Sequence, residues 1–191
     1  MQRLQKINIG WNLRDPKMLR DEELFRIFNE WISENSDEVL IDVADYKHLH
    51  HGPTTILIGH SANYFLETKD QQKSVVYARK QPQDGDLSKR LTLTLQSSIQ
   101  CCIKLENHSE LQGRVKFNGG EVQFIANDRL QAANTEENRQ CFQQHLSPIL
   151  DTLYGSQKYT FECINQSEDR LAVTARTTSS LDLSDLIEKL E

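Results

Sequence analysis

The stretch 114–124 reads RVKFNGGEVQF, and its reading sets the expectation for the whole fold. Val115 and Phe117 alternate with polar residues, and Val122 and Phe124 do so again after the glycines. Asn118-Gly119 supplies the positive φ angles that a tight two-residue turn requires. The pattern predicts a β-hairpin closed at Asn-Gly, and therefore an antiparallel sheet.

Working outward, the same alternation recurs. Tyr159–Ile164 and Leu171–Arg176 read as a second hairpin across NQSEDR. Asn63–Glu67 and Ser74–Arg79 read as a third across TKDQQK. Glu38–Val43 (EVLIDV) and Thr54–Gly59 (TTILIG) are short and β-rich, and predict two further strands. Between these lie stretches of helical period. Asp15-Pro16 offers a cap and a first-turn proline for a helix over Asp15–Asn35, whose Leu24, Phe28 and Trp31 share one face. Leu87, Leu91, Leu95, Ile99 and Cys102 form the stripe of a helix over Asp86–His108. Phe142, Leu146, Ile149 and Leu153 form that of a helix over Thr135–Tyr154. A short last helix is expected at Leu183–Leu190. Expected core residues are Leu24, Phe28, Trp31, Leu91, Leu95, Ile99, Phe117, Phe124, Leu146, Ile149 and Leu153.

The predicted order is α-ββββ-α-ββ-α-ββ-α, with no β-α-β crossover joining parallel strands. This is an α+β chain: a mainly antiparallel, hairpin-rich sheet with helices packed against it. At 191 residues, and without a Gly/Ser/Pro linker, it is expected to form one compact domain over residues 1–191.

Composition narrows the function. Acidic residues number 28 against 22 basic ones, for a formal charge of −6, so nucleic acid is not an expected partner. No apolar run reaches the roughly 20 residues of a membrane span. The start, MQRLQKINIGWNL, has neither the apolar core nor the cleavage site of a secretory signal. The four cysteines include an adjacent pair, Cys101-Cys102, and no C-x-x-C spacing, which fits reduced thiols in the cytoplasm.

Four of the six histidines fall between positions 48 and 60. In an extended chain His48 and His50 project to one side and could share a metal ion. His51 joins them if the chain turns at Gly52-Pro53, and Asp42, Asp45 or Asp128 would complete the set. His60 is separated from that group by a whole strand. The segment 46–63 is expected to line a concavity. Tyr46, His60, Asn63, Arg79 and Arg129 are the candidate ligand-binding residues, the two arginines for an anionic group.

The segment Gly59-His-Ser61-Ala-Asn63 resembles the nucleophile turn of the α/β-hydrolases over about eight residues, with Asp128 and His145 in the order of a triad. Asn63 replaces the second glycine, and the residues after Ser61 alternate like a strand where that family has a helix. Neither a phosphate-binding nor a dinucleotide-binding glycine motif is present. The sequence thus points to a non-catalytic binding or assembly domain recognising a small molecule or a protein partner. A metal-binding role through His48, His50 and His51 and a hydrolase through Ser61 are the alternatives.

Overall fold

The computed structural model describes residues 1–34, 38–48, 52–156, 158–163, 169–179 and 181–190. Its elements are β1 (Ile7–Leu13), α1 (Asp21–Ser33), β2 (Leu40–Asp45), β3 (Pro53–Gly59), β4 (Ala62–Lys69), β5 (Gln72–Arg79), α2 (Leu87–Glu106), β6 (Phe117–Ala126), α3 (Glu136–Tyr154), β7 (Thr160–Cys163), β8 (Leu171–Arg176) and α4 (Leu183–Glu188). The strands form one eight-stranded sheet in the order β2-β3-β4-β5-β1-β6-β8-β7. Every neighbouring pair is antiparallel. The α+β class expected from the hairpins is therefore the one observed. No helix among the described residues is long and apolar enough to cross a membrane.

The decisive stretch folds differently from its reading. Residues 117–126 are one continuous strand, β6, pairing with β1 on one side and β8 on the other. Asn118-Gly119-Gly120 is an irregularity in that strand, where the register against β1 shifts between Trp11 and Leu13. The extra residues restore phase, so Phe117 and Val122 both end up buried. The glycines serve close approach. A Cβ on Gly119 would lie 2.5 Å from the Leu181 carbonyl oxygen, and one on Gly120 would lie 2.8 Å from that of Ser179.

β1 completes the picture. Ile7, Ile9, Trp11 and Leu13 point inward and are almost wholly buried, while Asn8, Gly10 and Asn12 alternate outward. This strand occupies the middle of the sheet and was absent from the predicted order. Asp15 caps only a single 3-10 turn, its Oδ1 accepting the Lys17 N–H at 2.9 Å. Leu19 is extended after it, so α1 begins at Asp21. The predicted end of this helix, Asn35, lies outside the described residues, as does Ile164 at the end of β7. The other two large helices start where their caps predict. Asp86 accepts from the Lys89 N–H at 2.8 Å, and Thr135 Oγ1 from the Asn138 N–H at 3.2 Å. β4 and β5 meet at a two-residue turn with φ of 50° at Asp70 and 64° at Gln71, tighter than the six residues expected.

Trp11 Nε1 donates to Ser98 Oγ of α2 at 3.0 Å, and Lys73 on β5 binds Asp21 of α1 at 2.8 Å. Both contacts lie on one side of the sheet, where all expected core residues are buried in one continuous cluster with the helices. The register puts Ile58, Asn63, Ala78, Asn8, Ile125 and Ala172 on the opposite side, and no helix among the described residues covers them. Among the described residues, then, the structure has two layers, with one sheet face bare of helices.

Candidate functional site

The periodicity of α2 brings Ser97, Gln100, Cys101 and Lys104 onto one stripe of the helix. That stripe faces the outer end of the helix-covered side of the sheet. There Tyr64 and Tyr77 are directly paired across β4 and β5, with ring centroids 5.2 Å apart in an edge-to-face arrangement. Arg79 follows Tyr77 by two residues and therefore shares its side. Trp31, in the last turn of α1, closes one wall. Glu38 and Leu40, entering β2, close another. Together these ten residues surround a cavity of about 360 Å³, within the range of small-molecule sites.

The cavity is aromatic with cationic corners. The Lys104 ammonium lies 4.3 Å from the Trp31 ring centroid and pairs with Glu34. Arg79 donates from Nε to the Gln81 carbonyl at 3.0 Å and from Nη1 to the Tyr77 hydroxyl at 3.4 Å. Among the described residues it forms no ion pair, and it is only half exposed. The Trp31 indole N–H is buried without a hydrogen-bond partner among the described residues. Burial pushes the Tyr64 phenol well above its usual range and pushes the Cys101 thiol up to about 12. Tyr64 and Cys101 are therefore neutral at physiological pH. The charged groups that line the cavity are Arg79, Lys104 and Glu38.

Glu38 is held in place by backbone. Its Oε1 accepts the Ser61 N–H at 2.7 Å, and a Cβ on Gly59 would lie 2.8 Å from the same oxygen. Gly59 ends β3 and Ser61 lies in the two-residue connection to β4, so the segment resembling a hydrolase elbow is a β-hairpin turn. A strand follows Ser61 where an elbow requires a helix. His145 lies on α3, half-buried between Ser88 Oγ at 3.1 Å and Gln2 Nε2 at 3.3 Å, a hydrogen-bonded histidine at the edge of the core.

The candidate ligand residues separate. Arg79 lines the aromatic cavity. Asn63 faces the bare side of the sheet, in a groove that Gly52, Pro53 and Arg79 also border. Among the described residues of the segment 46–63, then, Gly52, Pro53 and Asn63 line a concavity. Tyr46, His48 and His60 are exposed, as is Arg129. Tyr46 and His48 have ring centroids 6.2 Å apart at one end of the β2–β3 hairpin, while His60 sits at the other end. His50 and His51 lie outside the described residues. Among the described residues, no three His, Cys, Asp or Glu side chains come together to hold a metal ion.

Sequence reading missed Trp31, Tyr64, Tyr77 and Lys104 as site residues. Trp31 reads as part of an apolar helix face and the two tyrosines as strand residues, and only strand register brings Tyr64 beside Tyr77. Comparison of the chain with protein-family models, curated proteins and solved structures finds no match.

Proposed function

We propose that the chain is a non-catalytic binding domain that takes a small planar anion, of the aromatic carboxylate class, into the cavity between α1, α2 and the β4–β5 pair. The observation that carries this reading is Arg79, a half-buried guanidinium that forms no ion pair among the described residues, set beside the edge-to-face tyrosines. A planar acid satisfies both features: its ring packs on Trp31, Tyr64 and Tyr77, and its carboxylate takes the guanidinium fork. The buried Trp31 N–H, which has no hydrogen-bond partner among the described residues, adds a donor. Nothing in the cavity is poised as a nucleophile, since Cys101 is held as the neutral thiol. The four free thiols, two of them buried, support a cytoplasmic setting.

The test uses the chain's own fluorophore. It has two tryptophans, and Trp11 is fully buried. A Trp11→Phe variant isolates the Trp31 signal, and is titrated with benzoate, indole-3-acetate and their neutral amides. Saturable change with the acids, lost in Arg79→Gln, is expected. Equal response to the amides, no response to any acid, or an unaltered response in Arg79→Gln would overturn the reading.

A further inference from the structure

The bare face of the sheet carries two carboxamides in one row. Asn8 on β1 and Asn63 on β4 are both paired with Ala78 of β5, so the three lie side by side across the strands. Two strand spacings set the asparagine backbones about 10 Å apart, with only the Ala78 methyl between them. Asn8 is 3% exposed. In both residues Oδ1 is shielded from water and has no hydrogen-bond partner among the described residues. An unsatisfied buried carbonyl destabilises a fold, and two in one cross-strand row call for a common explanation.

The surroundings supply one. The row forms the floor of a groove of about 630 Å³, and Lys6, Lys80 and Arg170 stand along its rim. None of these three cations has an ion-pair partner among the described residues. Arg170 is steered by Asn127, whose Oδ1 accepts from Nη1 at 2.7 Å, and the Asn127 N–H is itself tied to the Lys6 carbonyl at 2.8 Å. The carboxylate bordering the groove, Glu67, is four residues along β4 from Asn63, about 13 Å away. The groove therefore pairs hydrogen-bond acceptors on its floor with positive charge at one side, in a protein whose net charge is −6.

We infer that this groove is a second binding site, for a hydroxylated anion of the sugar-phosphate or sugar-acid class. Rotation of the Asn8 and Asn63 carboxamides about χ2 turns their oxygens into the groove, where ligand hydroxyl groups donate to them, and the phosphate or carboxylate is held by Lys6, Lys80 and Arg170. The site lies on the opposite face of the sheet from the aromatic cavity; Arg79 borders both, but none of the groups that hold the ligand here lines that cavity.

Calorimetric titration of the full chain with glucose 6-phosphate and with glucuronate tests it, alongside glucose and inorganic phosphate as partial probes. Saturable binding of at least one hydroxylated anion is expected, weaker by about tenfold or more for both partial probes. Whichever of the two full probes binds identifies the anionic group. Lys80→Gln, a surface change that leaves the fold intact, is expected to weaken binding about tenfold, and Asn63→Leu to abolish it. Melting temperature shows that each variant is folded. Binding of inorganic phosphate as tight as that of glucose 6-phosphate would remove the role of the carboxamides. Equal binding of glucose would remove that of the cations. Absence of binding by all probes, or unchanged affinity in folded Lys80→Gln, would overturn the site. Trp31 fluorescence is expected not to respond to these probes, which keeps this result separate from that of the aromatic cavity.

Discussion

Arg114 and Glu23, 91 residues apart in the chain, meet with 2.5 Å between Nη2 and Oε1. The same carboxylate binds the Arg20 guanidinium at 2.6 Å, and its Oε2 accepts the Arg20 backbone N–H at 3.1 Å, closing the first turn of α1. The Glu23 side chain is only 4% exposed, although Arg20 is 70% and Arg114 33% exposed. One buried carboxylate thus ties the start of α1 to the segment that leads into β6. Glu23→Gln keeps the shape but removes the charge, and is expected to destabilise the fold by about 1–3 kcal/mol in urea titration. An unchanged midpoint would show that water replaces these bonds without loss.

The same group predicts a pH dependence. The Arg20 hydrogen bond, first among its partners, holds the Glu23 carboxyl well below its ordinary value of 4.5, at about 2. A depressed folded value means that the stabilisation is present above the ordinary value and is lost as pH falls through the folded one. Stability is therefore expected to fall between about pH 5 and about pH 2, with a shallower slope in Glu23→Gln. Parallel slopes in the two proteins would assign the acid response to other carboxylates.

Gly119 is expected to tolerate no side chain. A Cβ there would meet backbone, the Leu181 oxygen at 2.5 Å and its carbonyl carbon at 3.0 Å, and backbone cannot swing aside like a flexible side chain. Gly119→Ala is expected to cost about 1–3 kcal/mol as an overpacking change. The Asn-Gly hairpin reading makes the opposite prediction for a solvent-exposed turn, namely little cost beyond turn strain. Chemical denaturation of the variant separates the two.

These glycines also show where the sequence was legible and where it was not. Alternation and helical period depend on near neighbours, so the core faces of α1, α2 and α3 could be read from single stripes such as Leu91, Leu95 and Ile99. What Asn118-Gly119-Gly120 does depends on residues 177–181 crossing close to β6, which no local pattern contains. Local rules therefore took a bulge for a turn. β1 has an alternation as regular as any in the chain, Ile7, Ile9, Trp11 and Leu13, but its partners β5 and β6 are distant in sequence, so no local turn marks it as a strand. At the site, Arg79 and Asn63 were legible as polar residues at strand ends. The aromatic walls were not, because pairing Tyr64 with Tyr77 requires the β4–β5 register.

Phe28 lies at the centre of the α1 face and is fully buried, with its ring 5.4 Å from that of Trp31. Phe28→Ala is expected to cost about 2–5 kcal/mol and, by loosening Trp31, to weaken ligands of the aromatic cavity. Leu146→Ala on α3, equally buried, is expected to cost a similar amount but to leave that cavity unaffected. Equal effects of the two variants on Trp31 fluorescence titrations would mean that the cavity responds to global stability and not to its own wall.

Thiol reactivity reports on the same wall by chemistry. Cys101 borders the cavity, yet burial pushes its thiol up to about 12, and burial holds Cys102 well above the ordinary value too. At about pH 8 the thiolate fraction of Cys101 is then on the order of one in ten thousand, and the thiolate is the reacting species. Cys141 and Cys163 are half-buried and reach solvent. Iodoacetamide is therefore expected to label Cys141 and Cys163 in the native protein well before Cys101 and Cys102, and all four at similar rates in denaturant. Peptide mapping by mass spectrometry follows each site. If native Cys101 reacted as fast as Cys141, water would have to reach its sulfur from the cavity. The neutral-thiol argument against a nucleophile in that cavity would then fall.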